Sequence, residues 1–240
     1  VTPLPAPGPF PSPAPDFLVE RVLFRDAMML VIDKPAGLPV HAGTGGGLNL
    51  EQFFGPLAFG LPREPALAHR LDRDTSGCLV LGRHRKALAR LGKLFAAGKV
   101  EKIYWAITTA APPGPEGRID VPLMKVNRKD GWRMFADPGG QASLTEYKVL
   151  GQAAGVSWVE FRPRTGRTHQ IRVHAAAIGC PILGDTIYGT PIAGTKLQLH
   201  AREVTLPLYP TRPPIIVTAP PPPHMMPTLT ILGLTSNCPA

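Results

Sequence analysis

The chain has 240 residues, 44% of them hydrophobic and 18% charged; that is too apolar for a disordered polymer, and no unbroken apolar run is long enough to span a bilayer. Lysine and arginine number 26 against 17 acidic residues, a formal net charge of +9 that suits a polyanionic partner as well as it suits plain solubility. Cys78, Cys180 and Cys238 are an odd, widely spaced set, so neither a disulfide framework nor a zinc knuckle is expected, and a reducing cytoplasm fits best.

Proline occupies every odd position from Pro3 to Pro15, which predicts an extended tail over residues 1–16 ahead of a folded body over 17–219. The run Pro220 to Pro223 opens a second tail, 220–240. Within the body, Met28 to Ile32 reads as a buried strand stopped by a turn at Lys34-Pro35-Ala36-Gly37. The glycines at Gly43 and Gly45-Gly46-Gly47 form a linker, since Leu48 spoils any dinucleotide fingerprint. Cys78 to Leu81 predicts another buried strand. A helix follows over Lys86 to Ala97, with Leu88, Leu91 and Phe95 on one face and Gly98 as its left-handed cap. Gly92 and Gly98-Lys99 imitate a phosphate loop, but five residues intervene rather than four and Val100 replaces the required hydroxyl.

Strand alternation returns over Val100 to Ile107, sending Ile103, Trp105 and Ile107 one way and Lys102 and Tyr104 the other. Further strands are expected at Ser143 to Leu150, Ser157 to Arg162 and Leu197 to Val204. A helix capped by Thr168 should bury Ile171, Ala175 and Ile178 and end at Gly179. Strands outnumber helices and come partly in succession, so the expected class is α+β with a mixed sheet.

Two segments carry the chemistry. His69-Arg70-Leu71-Asp72-Arg73-Asp74-Thr75-Ser76-Gly77 crowds charge directly before a core strand, where rigid scaffolds hold catalytic groups, and a carboxylate among arginines is expected to stay anionic. A surface salt-bridge loop is the bland alternative, and the residues alone leave the choice between Asp72 and Asp74 open. Ser76 lacks the Gly-x-Ser-x-Gly elbow of a nucleophile. The second segment runs from Arg164 to His174: a helix start flanked by Arg164 and Arg167 suits a phosphate, and Arg172 can reach a carboxylate across a cleft. His169 and His174 are five apart, so they do not form the usual helical metal pair, and no metal is expected.

Taken with Lys102-Ile103-Tyr104, Lys34-Pro35-Ala36-Gly37, Pro181 to Asp185 and Tyr188-Gly189, these segments resemble the RluA-type pseudouridine synthases, in the family's order from about Asp26 to Ala219. The resemblance implies a largely antiparallel sheet with flanking helices and a central basic cleft. It also implies isomerisation of uridine to pseudouridine in structured RNA, ribosomal in preference to transfer RNA, with no cofactor. It assigns Asp72 rather than Asp74 as the essential carboxylate, Tyr104 as the residue stacking on uracil, and Arg172 as the partner of Asp72. Arg70 is expected to fill the gap left by the flipped nucleotide, Ile171 to wall the base pocket, and Arg164, Arg167 and Lys34 to contact RNA. A cytoplasmic monomer without membrane association is the accompanying expectation. Two other readings stand beside it: a catalytically silent RNA-binding protein of the same fold, and a nucleoside hydrolase using Asp72 with Asp74.

Overall fold

In chain order the strands are β1 (Val22–Arg25), β2 (Met29–Lys34), β3 (Ala66–Leu67), β4 (Ser76–Gly82), β5 (Glu101–Thr108), β6 (Glu116–Asp120), β7 (Leu123–Arg128), β8 (Gly131–Ala136), β9 (Leu144–Ala153), β10 (Val156–Pro163), β11 (Leu199–Leu206) and β12 (Ile215–Thr218). Among the described residues three α-helices join them: α1 (Arg85–Ala96), α2 (Gln170–Ala177) and α3 (Met226–Ile231). The computed structural model describes residues 13–43, 46–128 and 131–234; residues 1–12 of the expected 1–16 tail and residues 235–240 lie outside them. No described helix is long and apolar enough to cross a membrane.

One sheet runs in the order β1-β2-β4-β11-β5-β10-β9-β6, with β3 on β4 and β12 on β11. Among the described residues only β4 and β11 pair in parallel, so the sheet is mixed and mostly antiparallel, as the sequence led us to expect. The apolar run of β4 is buried on both faces. Leu79 and Leu81 join one core cluster, while Cys78 and Val80 join another on the opposite face.

On β5 the alternation sends Ile103, Trp105 and Ile107 to a cluster around Trp158, and turns Tyr104 toward the other side of the sheet. α1 starts one residue before the expected position because the His84 side chain accepts the Ala87 N–H at 3.2 Å and serves as its cap; Gly98 closes the turn at φ +65°.

Two expectations are corrected. The residue before α2 is His169, in the left-handed conformation at φ 53°, and not Thr168 as a side-chain cap. Every residue from Gln170 to Ala175 is buried, so the helix sits within the molecule rather than on it. The segment after Pro220 is not a tail up to Leu232: Met225, Leu229 and Leu232 are buried against Trp105 and Trp158. Their spacing of four and three is the helical apolar stripe, which the neighbouring prolines masked.

The parallel contact sets up the site. Gly77 at the start of β4 faces Ala201 of β11, and Ala201 faces Tyr104 of β5, so one row across the sheet links the loop before β4 to Tyr104. Gly77 has φ +102°, and a Cβ there would overlap the Ala201 backbone. Gly77→Ala is therefore expected to lower stability by at least about 2 kcal/mol, because left-handed strain of roughly 1–3 kcal/mol adds to a backbone clash. Denaturant melts test this, and an unchanged midpoint refutes the close approach.

Candidate active site

The loop before β4, the face of β5 that carries Lys102 and Tyr104, and the segment leading into α2 enclose a cavity of about 520 Å³. Asp72 lies on its wall with Leu71, Tyr104, Ile171, Arg172 and Leu199. Leu71, Ile171 and Leu199 are buried, so the base of the cavity is apolar with a carboxylate at its side. Such a volume and lining suit one small planar group with its polar edge addressed.

Geometry separates the two carboxylates. Arg73 Nε and Nη2 donate to Asp74 at 3.0 and 2.9 Å on the exposed side of the loop, whereas Asp72 turns into the cavity. The loop is held from below by Lys34, whose Nζ donates to the carbonyls of Pro35 and Arg73 at 2.7 and 2.9 Å. The Gly37 N–H reaches the same Arg73 carbonyl at 2.9 Å. Lys34 is wholly buried, so its expected role as an RNA contact is corrected: the side chain supports the loop and presents nothing to solvent.

Burial depresses the Lys34 ammonium to about 7, against the opposing pull of Asp74, Asp72 and Asp33. At the other end of the loop, His69 Nε2 accepts the Val80 N–H at 3.0 Å, and its ring stacks on Phe95 at 4.6 Å. Burial pushes His69 down to about 3, which keeps it neutral and able to accept. Ser76 is a strand bolt, not a nucleophile. Its hydroxyl meets His200 Nδ1 at 2.9 Å in the interior, while His200 Nε2 faces the Ala219 carbonyl at 3.2 Å.

Arg172 reaches Asp72 at 3.8 Å, but its main partner is a residue the sequence did not single out as functional. Asp185 takes both Nε and Nη2 of Arg172 at 2.7 Å each, and its Oδ1 also accepts the Ile187 and Tyr188 N–H groups. Burial opposes charge on Asp185; the guanidinium and the two amides outweigh it and hold the carboxyl below its ordinary range. With two donor nitrogens fixed, the third, Nη1, is aimed at Asp72. The turn Gly184-Asp185 was legible as an Asp that caps its own following amides, but its burial was not.

His169 is the second omission. Its Nε2 lies 3.8 Å from Asp72, and its Nδ1 lies 2.7 Å from the Tyr188 hydroxyl. The hydroxyl oxygen accepts the Met134 N–H at 3.1 Å, which leaves its own proton for Nδ1 and places the ring proton on Nε2, toward Asp72. Burial lowers the His169 pKa despite Asp72 nearby, so the ring is neutral at physiological pH. Trp132 of β8 covers it, stacked at 5.2 Å. Left-handed backbone at a non-glycine residue beside the key carboxylate is strain retained where geometry matters.

The arginines expected at the RNA face are only partly free. Arg164 Nη2 bonds Glu146 at 2.7 Å and Arg167 Nε bonds the Ala142 carbonyl at 3.2 Å, although both line the cavity mouth and are exposed. Arg70 is exposed at the same mouth. Gln170, also missed, fixes the intervening loop by accepting from the Arg167 N–H and the Thr165 hydroxyl while donating to Leu144 O and Thr145 Oγ1. Tyr104 has its hydroxyl pushed well above the usual range by burial and by the Asp72 charge, so it remains protonated near neutral pH.

Comparison with known proteins yields a consistent picture. Residues 28–177 match the family model described as RNA pseudouridylate synthase. An uncharacterised RNA pseudouridine synthase of Zymomonas mobilis is 49% identical over 193 residues, covering 78% of this chain and 88% of its own. The ribosomal large subunit pseudouridine synthase C of Buchnera aphidicola from Acyrthosiphon pisum is 36% identical over 173 residues, 72% of this chain and 55% of that protein. Among solved structures, human RNA pseudouridylate synthase domain containing 4 superposes with a TM-score of 0.77 at 29% identity, covering 92% of this chain and 96% of that one.

Two outcomes follow from the supports. Asp185→Ala strands the buried Arg172 charge and is expected to lower stability by about 3–5 kcal/mol; a melt identical to wild type refutes the clamp. Because Lys34 has a folded pKa below its unfolded one, the unfolded chain binds more protons between about 7 and the unfolded value near 10.4. Wild-type stability relative to Lys34→Met is therefore expected to rise with pH across that window, and a flat difference removes the desolvated ammonium from the account.

Proposed function

Since the chain belongs to the RluA-type RNA pseudouridylate synthase family, a family of isomerases, we propose that it converts particular uridines in structured RNA to pseudouridine, with Asp72 as the essential carboxylate and no metal or cofactor. The observation that carries the reading is the carboxylate on the wall of an apolar-based cavity, 3.8 Å from an arginine already fixed by another acid.

The net reaction breaks the C1′–N1 bond, turns the uracil within the cavity and joins C1′ to C5; C5 loses a proton, N1 gains one, and nothing is oxidised. Asp72 acts as nucleophile at C1′ or as base on the ribose, and either role requires the carboxylate aimed inward. Tyr104 stacks on the uracil with its hydroxyl protonated, and Ile171 forms the opposing wall. The target base is flipped out at a cost of about a few kcal/mol, offset by stacking and by phosphate contacts. Arg70 fills the vacated place in the RNA, while Arg164 and Arg167 meet the backbone at the mouth.

The catalytic domain takes in 17–219 and the segment up to Leu232 that packs against it, and acts as a monomer in the cytoplasm. Ribosomal RNA is favoured over transfer RNA by the likeness to the Buchnera protein, whose name places its action on the large ribosomal subunit.

Asp72→Ala is expected to lose at least about 10²–10⁴-fold in pseudouridine formation while retaining most of its RNA affinity. Pseudouridine mapping after incubation with wild type and variant measures this. Free uracil in solution would transfer the protein to the hydrolases; RNA binding by wild type without isomerisation would make it a silent binding module.

A further inference from the structure

Lys102 is a cation in the cavity wall with no ion pair among the described residues. It lies on β5 two residues before Tyr104 and lines the same cavity. Its Nζ comes within 3.9 Å of where a side chain on Gly166 would begin, so it stands against the loop that leads into α2. It is also close enough to His69 for its charge to lower that ring's pKa.

The other inner cation is answered: Arg172 holds Asp185. Lys102 is half-buried and has neither a carboxylate nor a hydrogen-bond partner among the described residues. Its ammonium is weakened by burial alone, with no acid in range to restore it. A desolvated, uncompensated cation is costly, and an anion entering the cavity offsets that cost.

We infer that Lys102 is the anchor for a backbone phosphodiester of the nucleotide that enters the cavity, so that the uracil is registered against Asp72 and Tyr104 by a charge at fixed distance on the same strand face. Alternate residues on one face of a strand lie about 6.6 Å apart, comparable to the reach from a nucleobase to the phosphate of its own nucleotide. The apolar stem of Lys102 beside Tyr104 and its ammonium toward Gly166 divide the cavity into a base compartment and a phosphate compartment. A Cβ on Gly166 would stand in ordinary contact with the Lys102 ammonium, 3.9 Å away.

The inference rests on the proposed action on RNA, and its test is independent of turnover. RNA affinity is measured as a function of salt for wild type, Lys102→Met and Lys102→Arg, with thermal melts to establish folding. Lys102→Met is expected to bind about tenfold or more weakly at low salt, and its log–log salt slope to be shallower by about 0.7–0.9. Lys102→Arg should keep the wild-type slope.

A folded Lys102→Met with the wild-type slope overturns the assignment, as does a Lys102→Arg slope as shallow as that of Lys102→Met. Acylation of wild-type lysines, read by mass spectrometry, supplies an arm that needs no variant: RNA should protect Lys102, and equal labelling with and without RNA refutes the contact. Failure of the isomerase reading would show differently, as unmodified uridine in RNA treated with wild type.

Discussion

The site depends on a guanidinium buried against a carboxylate. Arg172 lies inside a helix that is covered on nearly every side, where an unpaired charge would be prohibitive. Asp185 makes that burial tolerable and fixes the plane of the fork. Two of the three nitrogens are consumed by the pair, so the remaining one has a single direction, toward Asp72. A lone Arg172 would be free to meet Asp72 in several geometries; the acid behind it leaves one.

Further contacts hold Asp72 and its loop. Lys34 and Gly37 converge on one carbonyl of its loop, His69 closes the loop onto β4, and His169 presents a ring proton from a strained backbone position. These groups are buried or half-buried, and two of them, His69 and His169, also line the cavity. Their common effect is to give a flexible acidic side chain a defined position without recourse to a packed aliphatic shell.

The sequence disclosed the strands whose alternation or apolar runs were unbroken, β2, β4, β5, β9, β10 and β11, and both segments that meet at the cavity. It disclosed less where a residue's meaning depends on what lies across the fold. Lys34 reads as a surface cation in a turn, and only the loop above it makes it a buried support. Asp185 lies 13 positions beyond Arg172 and appears as one more turn residue. His169 looked like a helix residue because nothing local announces its left-handed conformation. The hairpin of β7 and β8 was missed although Asp130-Gly131 is a recognisable hairpin signal. The Asp72 versus Asp74 ambiguity was real at the level of residues, since the difference lies in which side of the loop each faces.

The single parallel pairing has a consequence for biosynthesis. Ser76 at the root of the Asp72 loop makes its bond to His200, 124 residues later in the chain. At ribosomal rates of about 5–20 residues per second, that partner is made roughly 6–25 s after the loop itself. During this interval β4 has its early neighbours β2 and β3 available but no β11, so the pairing of Ser76 and Gly77 with His200 and Ala201 is still to come. The loop is thus made well before the strand that completes its pairing.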